Sequence, residues 1–233
     1  MPRNNPLPAS ENPATEALEC VCGFEAVAER LGIRKRTKAL RPGQILEAAR
    51  DEFCQRGFAA TRLEDIAKRA GISKALIYVY YPTKTELFLA VARHVTDPIK
   101  GPAFVIDPDR SAKAQFLHEH QQFYASILQD EQTLGIFRLI IAESQRVPEI
   151  GQFYALEVIG GEIEGLRALI RHGITRGEFA PDALERLTGI EDILIAPGVM
   201  VMLTQIISGG AHYDLKKWSK AHWDMVMALL KAS

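Results

Sequence analysis

The sequence predicts an all-α protein: an N-terminal three-helix bundle carrying a helix-turn-helix, followed by a larger C-terminal helical region. Three observations predict it. Apolar residues recur at steps of three and four along most of the chain, the period of one helix face. No segment of useful length alternates with the two-residue period of a half-buried strand. Helix-start and helix-stop residues stand in order between Thr61 and Leu87. With 233 residues and a 47% hydrophobic fraction, the chain can bury a sizeable core.

The N-terminal stretch 1–13 is rich in Pro and Asn and is expected to be irregular. Ala17, Val21, Phe24, Ala28 and Leu31 then share one helical face, ending near Gly32. A basic run follows, Arg34, Lys35, Arg36, Lys38 and Arg41. Pro42 suits a first helical turn. Ile45, Leu46, Ala49 and Phe53 form the inward face of that helix, and Gly57 stops it. In "TRLEDIAKRAG", Thr61 with Glu64 reads as a capping box. Leu63, Ile66, Ala67 and Ala70 point inward, and Gly71 ends the helix. Ser73 caps a short, tyrosine-rich helix, and Thr83 with Glu86 forms a second capping box after Pro82. The helix after Pro82 is expected to stop near Asp97-Pro98, with 98–110 as a Pro-rich connector. Further helices are expected at 111–129, 132–146, 149–176, 182–208 and 215–231. The resulting domain division is 1–36, an extension with an extra helix and a basic arm; 37–97; and 98–233.

Charge separates these regions. From Arg34 to Lys84 there are twelve Lys/Arg and five Asp/Glu, a balance of +7; the net charge of −1 therefore leaves −8 elsewhere. One part of the chain is suited to a polyanion while the rest keeps the protein dissolved. Two helices joined by a tight glycine turn, the second short and Ser-capped, place that second helix in the DNA major groove. Small Ala67 allows the two helices to approach closely, and Gly71 accepts the turn conformation. Tyr78 and Tyr80 offer apolar area and a hydroxyl for phosphate oxygens, whereas Tyr81, beside Pro82, is expected to be core.

Residues 45–88, "ILEAARDEFCQRGFAATRLEDIAKRAGISKALIYVYYPTKTELF", resemble the DNA-binding domain of the TetR family of bacterial transcriptional regulators. Ala48-Ala49, Phe53, Gly57-Phe58, Thr61, Asp65-Ile66-Ala67, Ala70-Gly71, Ser73, Tyr78, Tyr80, Lys84 and Leu87 carry the resemblance. Ala75 stands where Gly is common, and Tyr81 where Phe is common. "FRLIIAESQRVPEI" and "DILIAPGVMVMLTQIISG" extend the resemblance more weakly. It implies 37–97 as the DNA-binding domain and 98–233 as the effector-binding and dimerisation domain. It implies a homodimer paired through C-terminal helices, bound to double-stranded operator DNA and released by a small apolar effector. It also implies DNA contacts at Thr61, Lys74, Ala75, Tyr78, Val79, Tyr80 and Lys84. Thr61 and Lys84 would hold phosphates, while Lys74, Ala75 and Val79 would face bases. Dimerisation has independent support: one short helix reads few base pairs, and two copies roughly 34–36 Å apart read a palindrome.

Other features carry less. Arg34, Lys35, Arg36 and Lys38 could form an arm that reaches DNA. Phe116, His120, Phe123, Phe137 and Ile141 are candidates for an effector pocket. Cys20 and Cys22 lack the further ligands that zinc requires, Cys54 reads as core, and His118 and His120 fall on different helix faces. No metal site and no cofactor are expected. No nucleophile–base set or phosphate loop appears at recognisable spacing, which argues against an enzyme. The N-terminus lacks a signal-peptide core, and the most apolar stretch, 193–203, is too short to span a bilayer. The reading is a cytoplasmic bacterial regulator, on the nucleoid when bound, with no membrane partner. The alternative is a DNA-binding regulator without a small ligand, controlled by a protein partner or by concentration.

Overall fold

Helix α1, Pro42–Ala60, opens on a proline whose missing N–H costs nothing in a first turn. It buries Ile45, Ala48, Ala49 and Phe53. Gly57, at φ 79°, breaks its regular backbone, and one last turn continues to Ala60. This computed structural model describes residues 42–100, 106–209 and 213–231. The helix expected at 14–31, the basic run 34–41, Cys20 and Cys22 lie outside the described residues.

Helix α2 spans Leu63–Ala70, α3 Lys74–Tyr80 and α4 Lys84–Lys100. Gly71 closes α2 at φ 68°, with its N–H bonded back to the helix. Ser73 caps α3, its Oγ accepting from the Leu76 N–H at 3.3 Å. Thr83 Oγ1 accepts from the Glu86 N–H at 3.0 Å. The expected capping box at Thr61 is not formed. Arg62 occupies the cap position of α2 without a side-chain bond, because the Thr61 hydroxyl points back to α1. Nor does Pro98 end α4, which runs to Lys100; in a last turn, proline removes only its own N–H bond.

The C-terminal helices are α5 (Ala112–Gln129), α6 (Glu131–Glu143), α7 (Pro148–Phe153), α8 (Gly160–Thr175), α9 (Ala183–Leu187), α10 (Ala196–Ser208) and α11 (Leu215–Leu230). A π-helical segment, Tyr154–Ile159, joins α7 to α8 without a break. The single helix expected over 182–208 is instead three pieces. Gly189 adopts φ 80° after α9, a 3-10 turn follows at Glu191–Leu194, and Pro197 begins α10 anew. No strand occurs among the described residues.

Two apolar cores organise the molecule. The first joins α1–α4 to Tyr124, Ile136, Phe137, Ile150, Phe153, Val201 and Met202. At its centre Phe53, Phe58 and Phe88 pack at centroid distances of 5.2–5.9 Å, within the range where aromatic pairs attract. The second core joins α5, α8, α9 and α11 through Phe116, Leu166, Leu169, Ile170, Phe179, Val226 and Leu230. Among the described residues no helix is long and apolar enough to cross a membrane.

Candidate DNA-reading face and effector cavity

The reading helix α3 is anchored by one side chain. Ile77 is fully buried, with Leu76 and Ile72 half-buried beside it. Lys74, Ala75, Tyr78 and Val79 consequently emerge together on the exposed face, and the two larger apolar groups, Tyr78 and Val79, remain 45% and 44% exposed. Lys74 pairs with Glu64 of α2 across the turn and lies 5.5 Å from the Tyr78 ring centroid. Its hydrogen bond to that carboxylate raises the Lys74 pKa and lowers the Glu64 one. The pair is solvent-exposed, so a phosphate can replace the carboxylate at small cost. Tyr80 and Tyr81 are half-buried and pack against the first core; Tyr80 therefore presents less surface than its place in the motif suggests.

Thr61 and Lys84 are placed differently from the expectation that they hold phosphates. Thr61 is only 2% exposed, and its hydroxyl donates to the Gly57 carbonyl at 2.7 Å, with the Glu52 carbonyl oxygen 3.1 Å away. The Lys84 ammonium donates to the carbonyls of Phe58, Ala59 and Thr61 at 2.8, 3.1 and 3.2 Å. It also lies 4.7 Å from the Phe58 ring centroid. Three N–H donors thus meet three main-chain carbonyls at and just beyond the end of α1. Burial lowers the Lys84 pKa. A feature the motif did not indicate is Arg62, exposed at the start of α2, where the helix dipole favours an anion.

Two small cavities lie at the seam between the cores. The first, about 60 Å³, is lined by Thr96 of α4, Phe123 of α5, Phe137 of α6, Tyr154, Val158 and Ile159 of the π segment, Glu162 of α8, and Ile195, Val199 and Met202. The second, about 40 Å³, is lined by Phe116, Glu119, His120, Phe123, Glu162, Leu166, Leu194, Ile195 and His222. Phe116, His120, Phe123 and Phe137, all expected in a pocket, thus line one cavity or both. Ile141 does not; it is 45% exposed on the outer face of α6. Phe123 borders both spaces. Its ring is seated on Gly198, where a Cβ would fall 2.5 Å from the ring.

The polar wall is hydrogen-bonded. His222 Nε2–H donates to the Leu194 carbonyl at 2.7 Å, and its Nδ1 accepts from the Tyr124 hydroxyl at 3.1 Å. Burial, with the neighbouring His120, lowers the His222 pKa to about 4, against the opposing pull of the Leu194 carbonyl. His120 Nε2–H donates to the Ser219 carbonyl at 2.9 Å, and burial lowers its pKa as well. Its neighbour in sequence, His118, is exposed. Cys54, expected in the core, is exposed beside α6, its thiol 3.7 Å from the Gln132 carbonyl.

Outside the cavity, Arg93 of α4 forms two hydrogen bonds, at 2.7 and 2.6 Å, with Glu157 of the π segment. The helix that leaves the reading unit is therefore tied to a segment that lines the first cavity. Neither contact was legible in the sequence, since the two residues are 64 positions apart and nothing local pairs them.

Comparison with known proteins agrees with this architecture. Residues 45–91 match bacterial regulatory proteins of the tetR family, and residues 115–186 match the C-terminal domain of AefR-like transcriptional repressors. The chain is 29% identical over 171 residues to the HTH-type transcriptional regulator RutR of Escherichia coli strain K12, covering 67% of this chain and 73% of RutR. It is similar in fold to a transcriptional regulator from Saccharomonospora viridis solved in complex with choline (TM-score 0.62, 18% identity, 82% of this chain and 98% of that one). It is likewise similar to FadR from Bacillus subtilis, solved in complex with stearoyl-CoA (TM-score 0.58, 17% identity, 80% and 98%).

Proposed function

The chain belongs to the TetR family of bacterial transcriptional regulators, and from that premise we propose a repressor that binds a palindromic operator as a homodimer and is released by a small apolar effector. The observation that carries the effector part is the position of the first cavity. Thr96 of α4 shares it with α5, α6, the π segment and α10. A ligand that fills this space pushes on the helix that follows the reading helix, and so changes the spacing of two reading helices in a dimer.

On the DNA side, Lys74, Ala75, Tyr78 and Val79 form the groove-facing edge, with Tyr80 flanking it. Arg62 and Lys74 hold phosphates. Thr61 and Lys84 act one layer back, fixing the end of α1 against α4. The pairing surface is the outer face of α10, where Met200 and Ile207 are exposed seven residues apart, Ile207 at 84%. A seven-residue apolar stripe is what a second, similar helix packs against.

The modest cavity volumes favour a second reading, a regulator of the same DNA-binding kind without a small ligand. Binding to random DNA and to DNA from the chain's own upstream region, at several salt concentrations, tests the regulator reading. Preference for a palindrome with a steep loss of affinity as salt rises is expected; weak binding with no sequence preference would count against it. Release of that DNA by a small molecule separates the first reading from the second.

A further inference from the structure

Two carboxylates stand in the first turn of α2, and they have different partners. Asp65 Oδ2 accepts from Arg56 Nη1 of α1 at 3.4 Å. Glu64 Oε1 instead accepts from the Lys74 ammonium, on the first residue of α3. Both members of this second pair are exposed. The bond from Lys74 holds the Glu64 carboxyl below its ordinary range, so the pair is ionised throughout the neutral range. An exposed pair of this kind adds little to stability. Nor does the start of α2 need Glu64 to balance its dipole, since Asp65 serves the same turn. What the pair changes is the charge of the reading face. Lys74 shares that face with Ala75, Tyr78 and Val79, and it arrives there already neutralised.

Resting on the operator-binding reading, we propose that Glu64 is a specificity-determining residue: it competes with DNA phosphate for Lys74, so that Lys74 joins the DNA only where α3 is fully seated. Non-specific binding is a sum of phosphate contacts. On a random duplex, a phosphate offers Lys74 only what Glu64 already gives. The exchange would also leave a bare carboxylate beside a polyanion. On the operator, Ala75, Tyr78 and Val79 hold α3 in register against base edges, and one phosphate stays within reach of Lys74. Contacts that random DNA does not make then offset the release of Glu64. The wrong partner is penalised while the right one is favoured.

The test uses the full chain and two DNA duplexes: one that the natural chain selects from a random-sequence pool, and a scrambled duplex of the same composition. Binding is read by fluorescence anisotropy between about 50 and 200 mM salt. Glu64→Gln should tighten binding to the scrambled duplex by about three- to tenfold at the low end and steepen its salt slope by about one unit. On the selected duplex, where Lys74 already holds a phosphate, the slope should stay as it was. Adding Lys74→Met to Glu64→Gln should return the scrambled-duplex slope to its natural value, which a purely structural role of Glu64 would not do. Lys74→Met alone should lower the slope on the selected duplex by about one unit and leave the scrambled one unchanged. Equal tightening on both duplexes makes Glu64 a mere negative charge near DNA and overturns the proposal. No change on either does the same, as does a loss confined to one base pair, which would make Glu64 itself a base reader. Each of these leaves the operator reading standing. A natural chain that binds every sequence alike overturns both.

Discussion

Lys84 and Thr61 carry a motif's signature, and both side chains bond to main-chain carbonyls at the end of α1. Gly57 departs from helical geometry near the end of α1, and these two side chains donate to the main-chain carbonyls there. Lys84→Met should therefore lower stability by about 1–3 kcal/mol, the cost of bonds to the main chain, two of them half-buried, left unmade. The salt slope of DNA binding should stay as it was. A slope reduced by about one unit at unchanged melting temperature would restore a phosphate role. Val79, by contrast, supports nothing; substitutions there should change base preference in a binding-site selection, and a uniform loss on all sequences would count against base contact. Gly173 shows how packing reverses a local rule. In a helix, Gly→Ala usually stabilises by about 0.5–1 kcal/mol. Here a Cβ would fall 2.1 Å from the buried Phe179 ring. Gly173→Ala should instead destabilise by about 1–3 kcal/mol in urea unfolding.

Elements are held to one another by groups that titrate in separate windows. His222 binds α11 to Leu194 in the 3-10 turn and to Tyr124 of α5. Its folded pKa, about 4, lies below the ordinary 6.5, so the unfolded chain binds the extra proton first. Stability is complete above about pH 6.5 and falls as pH drops toward 4. Glu178 ties the start of α5 to the segment after α8. Burial alone would raise its pKa. Hydrogen bonds from the Lys113 N–H, Ser111 Oγ and Arg176 outweigh burial and hold it at about 2. Its contribution is complete above about pH 4.5 and is lost as pH falls toward 2. Urea midpoints measured across pH should decline in two stages. Glu178→Gln should flatten only the more acidic one.

At the scale of the molecule, the first core ties the reading helices to α6, α7 and α10, while the second holds α5, α8, α9 and α11. The cavities lie where the two cores meet, the place where a filled or empty space can shift one core against the other. In the homodimer we propose, the exposed apolar face of α10 meets a second copy. Met200→Glu with Ile207→Glu should halve the sedimenting mass at micromolar concentration and weaken binding to a two-half-site operator far more than to one half-site. An unchanged mass would place the pairing surface elsewhere.

Much of the reading unit was legible because its signals are local. Gly71, Ser73 and Thr83 set helix ends through bonds spanning a few residues, and the alternation of buried Ile77 with exposed Lys74, Tyr78 and Val79 follows from helical period alone. The all-α class followed from the same period. The capping box expected at Thr61 does not form because its hydroxyl reaches back across Gly57, where φ 79° turns the chain in a way no spacing encodes. The pocket was half legible: Phe116, His120, Phe123 and Phe137 are apolar or semi-polar residues on two neighbouring helices. Thr96, Glu162, Val199 and Met202 join them only after α4, α8 and α10 are packed. Ile141 has the right chemistry and the wrong helix face. The sequence by itself determined the all-α class, the helix ends at Gly71, Ser73 and Thr83, and the face of α3. Tertiary structure alone decided which side chains share the seam, because a cavity belongs to the packing of several helices and to none of them singly.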